Sequence, residues 1–185
     1  MKIRGTVVLI GLALLIACGY NAPAPEPEPE AAEPVAELTP AEQVAEMANA
    51  CEAALPEIEQ RQAEQSLYDR LGGQDGIKTI MIKVVEVHME NPAIKPLFDG
   101  VDIEAFLEHS TQFMSAGAGG DVEYTGRDIT NVHEHMNLTP ELFLEAGADV
   151  ETAMKDLGIG AEEAQEVMCA LVSLRGLVLP AEDDA

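Results

Sequence analysis

Between Thr39 and Pro180 the apolar residues recur every three or four positions and no stretch alternates convincingly, so this chain can build helices and has little with which to build a sheet. Thr39-Pro40-Ala41-Glu42 is a capping box with proline at the first helical position. Val44, Met47, Cys51 and Leu55 follow at helical spacing as far as Pro56. Ser66 opens a second helix through LYDRLGG, closed by Gly72-Gly73. Ile77, Ile80, Met81, Val84 and His88 line a third, which Asn91-Pro92 ends because the residue before a proline is steered away from helix. Phe98 lies in the corner beyond. Ile103, Phe106, Ser110 and Phe113 mark a fourth helix that runs into SAGAGG. Thr139-Pro140-Glu141 opens another, with Phe143, Val150, Met154 and Leu157, and Gly158 and Gly160 break it. Ala164, Val167, Met168, Leu171 and Val172 stripe the last, with Pro180 beyond. The fold class is all-α.

The residues before Thr39 belong to no such pattern. MKIRGTVVLIGLALLIAC has a basic start at Lys2 and Arg4 and an apolar run from Val7 to Ala17, too short for a comfortable membrane span. Its end, Leu15-Ile16-Ala17-Cys18, resembles the bacterial lipobox, which implies cleavage before Cys18 and lipidation of that residue; an uncleaved anchor helix is the alternative. Either places the protein outside the cytoplasm on a membrane tether, on the periplasmic side, and Gly19 favours the outer membrane. The proline-, glutamate- and alanine-rich run that follows lacks the apolar content to offset ordering entropy and reads as a solvated spacer. The expected layout is a signal peptide over 1–17, a linker over 18–39, a helix over 40–65, one domain over 66–180 and an acidic tail over 181–185.

Charge narrows the partners. The chain carries a net charge of -24, or -26 once Lys2 and Arg4 leave with the signal. A nucleic-acid partner is excluded, since phosphate binding needs the opposite sign. Small anions are disfavoured by the same field, and a neutral ligand is indifferent to it. Aromatic residues make up 4% of the chain with no Trp, which argues against stacking platforms for sugars or bases. Cys51 and Cys169 remain after Cys18 is assigned, and they form either a disulfide or two buried thiols. No H-x-x-x-H or C-x-x-C pair, phosphate loop or nucleophile elbow is present. Without Cys-x-x-Cys-His there is also no signature for covalent c-type haem.

Four histidines stand in 185 residues, and two of them flank Glu134 in EYTGRDITNVHEHMNLTPELF. Residues two apart on a helix point roughly 200° away from each other, so His133 and His135 cannot both serve one site. From Ser66 to about Leu179 the chain resembles a group I truncated haemoglobin, a two-over-two helical sandwich around haem. SLYDRLGGQDGI, NPAIKPLFDGVD, the GAGG run, VEYTGRDITNVHEHMNLTPELF and AQEVMCALVSLRGLVL carry the resemblance. It implies haem b (iron protoporphyrin IX) as cofactor, with His133 as proximal ligand of the iron. His135 is then a surface or propionate-side residue. Phe98 falls on the corner phenylalanine that packs against the porphyrin, and Arg127 and Lys95 could pair with the propionates or else neutralise local carboxylates.

The distal side departs from that family. The usual tyrosine falls on Val85, the position often taken by glutamine falls on Ser110, and Phe106 occupies the gate. Loss of the tyrosine removes a hydrogen bond to a partly charged ligand, worth about 1.5–3 kcal/mol, or roughly tenfold to a hundredfold in affinity. His109 shares the flank of the Phe106–Phe113 face and corresponds to a sixth iron ligand in some members; turned to solvent, it would do nothing. His88, near the far end of its helix, is a weaker contender that packs or caps there. Three readings follow. The first is a tethered haem protein that reversibly binds oxygen, nitric oxide or carbon monoxide. The second is a bis-histidine electron-transfer or nitric oxide-detoxifying component, with dioxygenase-type activity dependent on an external reductase. The third is a globin-shaped lipoprotein that has lost haem.

Overall fold

The computed structural model describes residues 37–180; the expected signal peptide, most of the expected linker and the expected acidic tail lie outside them. Eight helices follow in order: α1 Pro40–Glu64, α2 Leu67–Arg70, α3 Gly73–Glu90, α4 Ile103–Gly117, α5 Ile129–His133, α6 Pro140–Asp156, α7 Ala161–Ser173 and α8 Arg175–Val178. A 3-10 turn, Lys95–Phe98, sits between α3 and α4. No strand occurs among the described residues.

The starts obey their caps. Thr39 accepts from the Glu42 amide at 3.3 Å while the Glu42 carboxylate accepts from the Thr39 amide at 2.8 Å, closing the capping box. Ser66, Asp102 and Thr139 cap α2, α4 and α6 in the same way. Gly72 and Gly73 both take left-handed backbone (φ 87° and 71°), which lets α2 turn straight into α3. The apolar stripe of α1 stops at Pro56, yet the helix runs on to Glu64. A helix-interior proline forfeits a ladder bond and costs about 3 kcal/mol. Past it, burial of Ile58 and the bonds of Arg61 and Gln62 to Glu166 offset that loss.

The pair α3–α4 lies over the pair α6–α7, and α3 against α6 is the most extensive contact. Ile77, Ile80 and Val84 of α3 meet Ala153 and Met154 of α6 in the core, with Val167 and Met168 of α7 beside them. Outside this sandwich, α1 packs on α6 and α7. A disulfide joins Cys51 of α1 to Cys169 of α7 across a Cα–Cα separation of 5.3 Å, which excludes two buried thiols. Further along, the fully buried Glu166 side chain receives Arg61 Nε at 2.7 Å, Arg70 Nη2 at 2.6 Å and Gln62 Nε2 at 3.0 Å. One carboxylate thereby ties α1, α2 and α7 together.

Burial pushes the Glu166 carboxyl up, but the bonds from Arg61, Arg70 and Gln62 outweigh it and hold the group below the ordinary carboxylate range. A carboxyl depressed by folding stabilises the fold above its unfolded value, near pH 4.3, and loses that contribution as pH falls through the folded value. Removing one partner of a buried pair costs about 3–5 kcal/mol, the lower end applying here because both arginines keep some solvent. Glu166→Gln is therefore expected to lose about 3 kcal/mol at neutral pH. In denaturant titrations its deficit against the parent protein should shrink once the pH drops below about 4.

Candidate functional site

His133 ends a five-residue helix, too short to hold its last side chain still without outside support. Asp128 caps α5, its Oδ1 accepting from the amides of Thr130 at 3.0 Å and Asn131 at 3.2 Å. Just upstream, the YTGR run forms a pinned turn. The Tyr124 hydroxyl donates to the Arg127 carbonyl at 2.6 Å. The Thr125 amide and hydroxyl both donate to Gln112 Oε1 on α4, at 3.1 and 2.9 Å. A side chain on Gly126 would run into the Tyr124 ring, so only glycine lets that ring lie down over the turn. Tyr124 also meets Phe113 edge-on at 5.2 Å. The turn is thus fastened to α4, and α5 packs on α8.

At the end of α5 the half-buried His133 ring turns Nδ1 to the Ile129 carbonyl at 2.7 Å. A carbonyl only accepts, so Nδ1 carries the proton and the neutral ring has its lone pair on Nε2. His135 has a different fate. The helix has ended, its side chain is 62% exposed, and its nearest acidic group is Glu134 at 3.9 Å.

Between the 3-10 turn and α4, Phe98 and Phe106 meet edge-to-face with centroids 5.2 Å apart. Val85 is buried on α3. The Ser110 hydroxyl donates to the Phe106 carbonyl at 2.7 Å, so its proton is turned into its own helix and away from any ligand. His109 is half-buried, edge-on to Tyr124 at 6.5 Å, and makes no hydrogen bond among the described residues. Arg127 is exposed and donates to the Asn131 carbonyl at 3.1 Å. Lys95 is exposed as well. Neither cation pairs with a carboxylate among the described residues, so neither is spent on local neutralisation. Grooves of about 620 and 590 Å³ lie elsewhere, one floored by Cys51 and Cys169 and the other between α3 and α4, and neither includes His133 or Phe98.

A neutral imidazole with its distal proton tied to a backbone carbonyl is the donor that haem iron takes, and flat aromatic side chains are what a porphyrin face packs against. The residues present fit the group. Helix order and the pairing of α3–α4 over α6–α7 define a two-over-two helical globin. Residues 66–179 match the model of the bacterial-like globin family, and the chain belongs to that family, in its group I truncated haemoglobin branch. The group 1 truncated hemoglobin GlbN of Nostoc sp. is 25% identical over 114 residues, covering 62% of this chain and 97% of that protein. That of Synechocystis sp. is 27% identical over 106 residues, covering 55% and 86%. Truncated hemoglobin from Tetrahymena pyriformis in its Fe(III) form superposes with a TM-score of 0.60 at 23% identity, over 63% of this chain and all of that one.

Several working parts escaped the sequence reading. Gln112, Tyr124, Thr125 and the Ile129 carbonyl position His133, but an amide on one helix bonding a loop 13 residues away leaves no periodic signal. Gln112→Ala should cost about 1 kcal/mol or less, since its bonds are exposed. Amide exchange across residues 124–133 should quicken markedly while that of α3 and α6 holds, as read by hydrogen-exchange mass spectrometry.

Proposed function

We propose that this globin reversibly binds a diatomic gas at haem iron, with His133 as the proximal ligand and haem b as the cofactor. One observation carries the reading: the Nδ1 bond to Ile129, which fixes the ring's rotation and, in the neutral tautomer, leaves the lone pair on Nε2. Bound haem supplies an iron centre for the gas. The chain's own residues do the rest. His133 would hold the iron, Phe98 and Phe106 would wall off water, and Arg127 and Lys95, unpaired among the described residues, would meet the haem carboxylates. Val85 and Ser110 offer the gas no hydrogen, which favours ligands bound without strong donation.

That apolar distal wall, with half-buried His109 beside it, supports a second reading. In it His109 takes the sixth position and the protein passes electrons or, with an external reductase, removes nitric oxide. We place the protein on the periplasmic side of a bacterial membrane, held by lipid on Cys18 after removal of residues 1–17. The Cys51–Cys169 disulfide supports an oxidising compartment.

Reconstitution with haem tests the first claim. His133→Ala should abolish or greatly weaken pigment uptake, whereas His135→Ala should leave the Soret band intact; uptake unchanged in His133→Ala would refute the assignment. The reduced spectrum separates the two readings. A broad five-coordinate spectrum is expected for open gas binding. Sharp low-spin bands that vanish in His109→Ala would establish the second reading instead.

A further inference from the structure

His88 and Asp149 form a buried ionisable pair to which haem binding by His133 gives no task. His88 lies on α3, one turn beyond Val85, and is only 7% exposed. Its Nδ1 donates to Asp149 Oδ2 on α6 at 2.8 Å, and Asp149 is only 8% exposed. The Asn91 side-chain amide donates to both Asp149 oxygens at 3.1 Å and to Glu145 Oε2 at 3.1 Å. On its other side the imidazole meets the Phe98 ring at 5.7 Å, tilted by 37°. A buried ionisable pair is weak support for stability, because well-packed apolar residues of the same volume serve as well or better. Its retention beside the corner phenylalanine asks for another role.

We propose that His88, held by Asp149, is a proton-binding site coupled to the oxidation state of haem in the pocket. This rests on the haem-binding reading above. Donation from Nδ1 to a carboxylate fixes the tautomer, so the neutral ring carries its lone pair on Nε2. That nitrogen makes no hydrogen bond among the described residues. The sliver of exposed surface lets it exchange protons with water. When an external one-electron reductant converts ferric to ferrous iron, the pocket gains one negative charge. Nε2 then takes one proton from solvent, forming an N–H bond and an imidazolium balanced by Asp149. Oxidation reverses both, and no other bond changes. Interactions between buried charges are little screened, so the two events assist one another.

The surrounding groups favour this site. From α6, Asp149 faces the ring directly and Glu145 through Asn91, both negative. On α3 itself Glu90 and Glu86 are exposed, the latter paired with Lys83. The 3-10 turn contributes the uncharged Phe98, its Lys95 being exposed, and Phe106 of α4 stands behind Phe98. Only the imidazole among these ordinarily titrates near neutral pH.

The test is spectroelectrochemistry of the haem-loaded full chain, with dithionite and redox mediators, from about pH 5 to about pH 9. The midpoint potential should fall with rising pH over one interval, its slope approaching about 59 mV per pH unit, the tenfold change expected for one proton per electron. His88→Gln should flatten that interval. Asp149→Asn should move it to lower pH, and His135→Gln should leave it in place. A pH-independent parent, or a His88→Gln variant that keeps the parent slope, overturns the proposal. Should His88→Gln fail to fold, Asp149→Asn decides alone, an unchanged profile being the refuting result. Absence of a Soret band defeats the haem reading itself and is seen before any electrode is used.

Discussion

The crossing of α3 over α6 is the contact on which the other parts stand. Ile77, Ile80 and Met154 are excluded from water there, each contributing about 1.5–3 kcal/mol by burial. Burial on that scale fixes the angle at which α4 and α7 must lie, since side chains in a close-packed interior cannot slide freely. At one end of the same crossing Val85 is buried, and one turn further His88 reaches Asp149. The apolar core and the polar couple are therefore consecutive stretches of a single interface. A displacement of α6 would reach the pocket through Asp149, His88 and Phe98.

Much of this was legible in the amino-acid sequence because helices announce their own beginnings. Thr39, Ser66 and Thr139 mark starts, and the apolar stripes of α3 and α7 point to the faces that are in fact packed. By contrast, α4 buries Thr111 and Ser115 off its expected stripe, and Leu157 at the end of the α6 stripe is exposed. What could not be read was set by contacts between distant residues. The apolar stripe breaks at Pro56 inside a helix expected over 40–65, and the bonds that carry the helix past it come from Glu166, over a hundred positions away. Nothing in a spacing of 118 residues says whether two cysteines meet. Five-residue α5 is shorter than any periodicity test, and His133 stood out only through likeness to known globins. His88 and Asp149 each look ordinary, and only the fold makes them partners.

In the proposed haem reading, the residues assigned to the distal side offer a gas little to bond with. Val85 has no donor, and the Ser110 hydroxyl turns its proton back onto the Phe106 carbonyl. Both would act in the same direction, toward a pocket that offers no hydrogen bond. Meanwhile the acidic surface repels anions and leaves uncharged gases free to approach. Lys95 and Arg127 are conspicuous against that background because neither pairs with a carboxylate among the described residues.

The two fastenings of α1 have a mechanical meaning. Cys51 and Arg61 lie on either side of Pro56, and both lead into α7, through a covalent bridge in one case and Glu166 in the other. A force pulling on the chain ahead of residue 40 would enter α1, cross the sulfur bridge and be borne by the last long helix. The short segment that presents His133 takes part in neither fastening and packs instead on α8, just beyond that helix.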